Sequence, residues 1–381
     1  MTEKLFYQDP FLSEFTAAVL SCEETKGGWN VVLDRTAFYP EGGGQAADHG
    51  TLGGVRVSDT REKEGRILHL CDGPLPAGET VTGKVDFARR FDLMQQHSGE
   101  HIVSGIICSL FHCDNVGFHV GHDTVTIDFN TELTMDDLRT VEAAANRYIW
   151  EDHPISITYP SPEELSALDY RSKKELTGQV RIVTWPGADC CACCGTHVAR
   201  SGQVGLVKLL SVQKFREGVR IEMLSGQRAL THYHTIFQQN TAVSQLLSAK
   251  PAETAAAVER LQREVFSLQG RVMALENSDF ARKAQQYAGQ GDVLLLEDDM
   301  SPDSLRKLCG AVAESCGGRC AVFSGADGAY KYAIAHPDGD LRALVKALNT
   351  TLNGRGGGKP GFLQGSLQAE ESAIREFFRS L

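Results

Sequence analysis

No stretch of the 381 residues is apolar over the roughly 20 positions that a membrane helix needs, which argues against a helical membrane span. The opening residues, MTEKLFYQDPFLSEF, lack the basic start and apolar run of a secretory signal, so the expected location is the cytoplasm. Net positive charge is missing too. Lys and Arg number 38 against 49 Asp and Glu, a balance of −11. Binding to phosphate by overall charge is therefore excluded, and a nucleic-acid partner would have to meet a local basic patch. What the chain does have is ordinary for a globular protein, with 42% hydrophobic residues and enough length for two or three domains. A core of that size needs no metal or disulfide merely to hold it together.

Cysteine is plentiful, at eleven residues. In a reducing compartment clustered thiols serve as metal ligands or remain plain thiols more often than they form disulfides. Cys22, Cys71, Cys108, Cys113, Cys309, Cys316 and Cys320 are scattered and read as small core residues. Cys190, Cys191, Cys193 and Cys194 fill four of five consecutive positions and need another reason.

The chain reads as α+β. Short β-rich runs (WNVVLD, GVRVSD, RILHL, TVTGKVDF) punctuated by Gly, Pro and Asp predict an N-terminal β-barrel over 1–88, interrupted by an ordered loop, FYPEGGGQAADHG. An α/β domain follows over 89–228. It holds a helix near Phe91–Phe111, a second helix capped by Thr134, the strands ISITYPS and VRIVTW, and a closing hairpin. Over 229–288 the character is helical. Val258, Leu261, Val265, Leu268, Val272 and Leu275 alternate spacings of three and four, which suits either a coiled coil or a helix packed on its own domain. Alternating strands and helices return over 289–381 as a compact α/β domain.

His97 and His101 are four apart on the first of these helices, so both imidazoles share a face. Cys193 and His197 repeat the spacing after a strand, in CCGTH. Three imidazoles and a thiolate select zinc over magnesium or calcium, giving one zinc per chain. Cys190, Cys191 and Cys194 remain rivals for the sulfur position. Gly42, Gly43 and Gly44 let backbone approach a bound ligand, and the neighbouring Gln45 can point its amide at substrate or water.

HSGEH, followed about ninety residues later by CCGTHVARSGQVG, resembles the metal motifs of the alanyl-tRNA synthetase editing domain, with Cys194 where that family usually has glycine. DRTAFYPEGGGQAAD is similar to that domain's other signature. NGRGGGKPGFLQGS resembles the glycine-rich motif of the synthetase's C-terminal, DHH-associated domain. Together these motifs are similar to the freestanding alanyl-tRNA editing proteins of the AlaX family, long subtype, and nothing resembles an aminoacylation core.

The resemblance implies a zinc-dependent hydrolase that deacylates tRNA(Ala) mischarged with serine or glycine. It makes 89–228 the zinc-containing editing domain and 289–381 a DHH-associated domain. It also makes Thr36 the candidate reader of the serine hydroxyl, because the family's matching threonine lies in the editing pocket. A homodimer through 229–288 is expected. RNA contacts are expected at Arg355 and Lys359 in a glycine-rich loop, within a C-terminal stretch carrying six basic residues and three acids, with a smaller basic cluster at Arg171, Lys173 and Lys174. One alternative is a non-catalytic, zinc-stabilised RNA-binding module. A phosphoesterase of the kind that also carries a DHH-associated domain is disfavoured, since the chain has no Asp-His-His tripeptide.

Overall fold

The structure is a computed structural model, and it describes residues 1–172, 178–326 and 328–381. Lys173 and Lys174 lie outside the described residues. The fold is mixed α and β with several sheets, and the chain divides into two compact units, Met1–Thr241 and Ala242–Leu381. No helix among the described residues is long and apolar enough to cross a membrane.

In the first unit six strands pair in a closed ring. Its order is Glu14–Thr25, Gly28–Leu33, Arg66–Cys71, Val55–Lys63, Gly50–Leu52 and Thr80–Val85, which pairs back onto the first. Strand alternation explains the filling. Phe15, Ala17 and Val19 face inward at every second position, and they join Val31, Leu33, Phe38, Leu52 and Val57 in one core. The glycine-rich segment leaves this ring as a loop closed by a bridge between Gly42 and Gln45.

The loop is pinned to the helix Phe87–Phe111, which starts four residues earlier than the sequence suggests because the Asp86 side chain accepts from the Arg89 amide and caps it. Arg90, fully buried, grips the equally buried Asp48 through Nε and Nη2. It also donates to the Ala37 and Pro10 carbonyls, while Asp48 accepts from the Tyr39 amide. Loop and helix are thus one rigid piece. The helix packs against a four-stranded antiparallel sheet, Val207–Phe215, Gly218–Ser225, Val125–Phe129 and Asn115–Val120, and the expected closing hairpin forms its first pair. A three-stranded sheet, Ser156–Thr158, Ile182–Trp185 and Asp189–Ala192, lies on another side of that helix. Gly105 is needed there, since a Cβ would overlap the Ala188 carbonyl. Thr134 caps the helix Met135–Trp150 with a full capping box, as its sequence indicates.

The second unit is a five-stranded sheet in the order Gly291–Glu297, Gly317–Ala326, Ala329–Ala335, Phe362–Gln368, Arg355–Lys359, with only the first pair parallel. One face packs on the helix Pro302–Cys316, the other on Arg342–Thr351 and Glu371–Arg379. The segment expected to be a glycine-rich loop is an edge strand, with Arg355 opposite Ser366 and Lys359 opposite Phe362. Glycine serves crowding here, not turning. A Cβ on Gly356 would overlap the Tyr332 hydroxyl, and one on Gly358 the Phe362 carbonyl. The seam from Val258 to Leu275 falls on the helix Thr254–Gln286. Its six residues are 39–70% exposed.

Candidate metal centre

His97, His101, Cys193 and His197 come together, with one ligand atom from each lying within 4.8 Å of the others, all buried. The helix supplies two and the turn after strand Asp189–Ala192 supplies the others. That turn is fixed at several points. Cys193 exchanges backbone and side-chain hydrogen bonds with Arg181 (3.1 and 2.7 Å), and the Val198 amide donates to Ser98 on the helix at 3.1 Å. Gly195 passes directly over His97, where a Cβ would overlap the ring. Of the rival thiols, Cys194 is exposed, and Cys190, half-buried like Cys193 itself, does not join the four-residue group. Cys191 lies instead in a second group with His101 and Asp189.

Each helix histidine is held from behind. His97 Nδ1 donates to Gln45 Oε1 at 2.8 Å, and the Gln45 amide donates to Thr196 Oγ1 at 2.8 Å while its oxygen also accepts from the Thr196 N–H. His101 Nδ1 donates to Asp189 Oδ2 at 2.9 Å. Both rings therefore turn Nε2 inward. Trp185 stacks on His101 with centroids 4.1 Å apart, and Phe118 on His97 at 4.9 Å.

Burial raises the Cys193 thiol, yet the three imidazoles outweigh it and hold it well below its ordinary value. Burial drives His197 down to about 3. For His101 burial is opposed by Cys193 and Asp189, which carry it well above the usual histidine range. Burial also works against ionised Asp189, but His101 and Arg171 keep that carboxyl low. His101 Nε2 and both His197 ring nitrogens have no hydrogen-bond partner among the described residues. Buried nitrogens left this way are costly in a protein interior. A thiol held low and three imidazoles converging on one point are a donor set that fits a soft divalent ion such as zinc.

Gln45, expected to meet substrate or water, is 1% exposed and its amide is spent on His97 and Thr196. Thr36 is fully buried. Its hydroxyl donates to His69 Nε2 at 2.8 Å, because His69 Nδ1 already donates to the Val31 carbonyl, and it accepts from the Phe38 amide at 3.1 Å. Burial takes His69 down to about 4. Gly42, Gly43 and Gly44 sit in the pinned loop, where a Cβ on Gly44 would crowd Phe118, the ring that covers His97. Arg355 and Lys359 lie in the second unit, exposed on the edge strand. Arg171 is not free for RNA, being bound by two bonds of 2.7 Å to Asp189. Sequence reasoning missed Asp189, whose only signal was an acid four residues before Cys193.

Three family models match the chain: tRNA synthetases class II (A) over residues 7–89, which hold the strand ring and its glycine-rich loop; the threonyl and alanyl tRNA synthetase second additional domain over 180–222; and the DHHA1 domain over 288–381. Among similar proteins, an alanyl-tRNA editing protein AlaX-L of Pyrococcus horikoshii is 29% identical, with 98% of this chain and 96% of that one aligned. An alanyl-tRNA editing protein Aarsd1 of Danio rerio is 27% identical over 94% and 92%. An alanine–tRNA ligase of Halorubrum lacusprofundi is 32% identical over 96% of this chain, which spans only 42% of that enzyme.

Proposed function

We propose, from the premise that the chain is an alanyl-tRNA editing protein of the AlaX type, that it is a cytoplasmic deacylase which hydrolyses the ester joining a wrong amino acid, serine or glycine, to the 3′ end of tRNA(Ala). The observation that carries this reading is the buried cluster of three histidines and one cysteine, drawn from segments 96 residues apart. His97, His101, Cys193 and His197 would hold one zinc, which when bound supplies Lewis acidity for activating water or polarising the ester carbonyl. Gln45 keeps His97 turned inward, and the pinning of Asp48 by Arg90 keeps the glycine-rich loop over the site.

Selectivity falls to Thr36 in this reading. Its hydrogen is committed to His69, so the hydroxyl meets a ligand as an acceptor. The hydroxyl of serine can donate to its remaining lone pair, a bond that alanine cannot make. One such added hydrogen bond is worth about 0.5–1.5 kcal/mol, or roughly 2- to 12-fold in rate. Arg355 and Lys359 would meet tRNA phosphates, since no ion pair among the described residues engages them. The uncovered seam on Thr254–Gln286 supports a homodimer.

A closed set of four protein donors is also the composition of a structural zinc site, which favours a zinc-stabilised RNA-binding module as second reading. Turnover separates the two. Purified chain should release serine from seryl-tRNA(Ala) far faster than alanine from alanyl-tRNA(Ala), and Cys193→Ala should lose both zinc and activity. Full zinc content with no release from either substrate, or from glycyl-tRNA(Ala), sinks the hydrolase reading.

A further inference from the structure

Behind the donor cluster lies a second, charged layer that the proposed chemistry does not use. Asp189 is 8% exposed and its carboxylate is fully occupied. Oδ2 accepts from His101 Nδ1 at 2.9 Å and from Arg171 Nη2 at 2.7 Å, while Oδ1 accepts from Arg171 Nε at 2.7 Å. The guanidinium thus meets the carboxylate with two parallel bonds, which fixes the plane of the carboxylate as well as its position.

The backbone of Arg171 is tied to the same strand. Its amide donates to the Cys190 carbonyl at 2.8 Å, and its carbonyl accepts from the Ala192 amide at 2.9 Å. Residue 192 leads directly into Cys193. One knot therefore secures a histidine of the helix and the approach to the thiolate of the turn. On its outer side Arg171 borders a cleft of about 310 Å³ lined also by Asp169, Tyr170, Thr184 and Trp185.

A histidine can offer Nε2 to a metal only while Nδ1 keeps its proton, and a carboxylate behind the ring secures that tautomer and makes the ring a stronger donor. We propose that Arg171 and Asp189 form a positioning relay behind His101 that sets the affinity of the centre for its metal, Asp189 holding the ring and Arg171 holding Asp189. The relay rests on the reading that His97, His101, Cys193 and His197 bind a metal. The bland alternative is that the Arg171–Asp189 pair merely tethers the segment around residue 171.

Zinc affinity of the full chain, measured by competition with a chromophoric chelator, distinguishes these. Asp189→Ala and Arg171→Met should bind zinc about 10- to 100-fold more weakly than the parent. Arg171→Lys should recover little, since an ammonium cannot make two parallel bonds. Asp189→Asn, which keeps the shape and an acceptor for Nδ1–H, should lie between parent and Asp189→Ala, and it stands in should the alanine variant not fold. With cobalt in place of zinc, its visible ligand-field bands should shift in Asp189→Asn while the thiolate-to-cobalt charge-transfer band persists. Arg228→Met is the control. It breaks a comparable fork, to Asp92 on the same helix, and should bind zinc as the parent does. Equal affinity in the Asp189 and Arg171 variants overturns the relay, as does an equal loss in Arg228→Met. A parent chain that takes up no metal overturns the centre itself and the relay with it.

Discussion

Gln45 Oε1 accepts from His97 Nδ1 at 2.8 Å, and through that bond the glycine-rich loop reaches the helix that bears the metal-facing imidazoles. The consequence is testable. Gln45→Ala should weaken zinc binding about 10- to 100-fold and slow deacylation to match, with excess zinc restoring much of the rate. Should Gln45 instead touch substrate, the variant would keep its zinc and show a raised KM that added metal does not correct.

The burial of His69 makes stability depend on pH. His69 lies near 4 when folded against an ordinary value of 6.5, so between those values the unfolded chain carries a proton that the folded one refuses. The stabilisation is complete above about pH 6.5 and lost as pH falls toward 4, by about 3 kcal/mol in total. Urea unfolding at pH 7 and pH 5 should show this fall, and His69→Asn should flatten it. An unchanged pH slope in that variant would assign the effect to other groups.

Thr36→Val removes the donor to His69 and the acceptor for the Phe38 amide. It should cost about 1–3 kcal/mol of stability, leave zinc content unchanged, and narrow the rate ratio of seryl- to alanyl-tRNA(Ala). If the variant is destabilised but the ratio holds, Thr36 is structural and discrimination lies elsewhere in the pocket.

Replacing Arg90 by Leu strands the fully buried Asp48 carboxylate. Loss of one partner of such a pair costs about 3–5 kcal/mol. The thermal midpoint should fall by several degrees at least, and protease cleavage within residues 40–48 should speed up because the loop has lost its anchor. Resistance equal to that of the parent would mean the loop is held by its other contacts.

The seam on Thr254–Gln286 leaves Leu268 46% exposed and Val272 55% exposed. Light scattering should give twice the chain mass at micromolar concentration, and Leu268→Asp with Val272→Asp should return the monomer. A parent chain already monomeric at that concentration contradicts the dimer.

Much of the site was legible because its spacing is local. His97 and His101 fall on one helix face by geometry alone, and Cys193 and His197 share a short turn. The Thr134 cap and the strand runs are likewise local signals. What could not be read are pairings made by the tertiary fold. Arg90 with Asp48, His69 with Thr36 and Arg171 with Asp189 join residues 42, 33 and 18 positions apart. In the sequence each charge looks like a solvated one, which is how Arg171 came to resemble an RNA contact. The strand Arg355–Lys359 was hidden for a related reason. Its glycines suggest a loop until the Tyr332 hydroxyl and the neighbouring backbone are seen to occupy the space of the side chains.

Splitting the donors between a helix and a distant turn also sets a schedule for the growing polypeptide. Cys193 follows His97 by 96 residues. At about 5–20 residues per second of synthesis, roughly 5–20 s pass between emergence of the first imidazole and of the thiol. Throughout that interval the nascent chain presents His97 and His101 without the thiol and third imidazole that complete the cluster. Completion of the four-donor set therefore waits until the turn after Asp189–Ala192 leaves the ribosome, so an arrested chain ending before Asp189 should hold zinc far more weakly than the full chain.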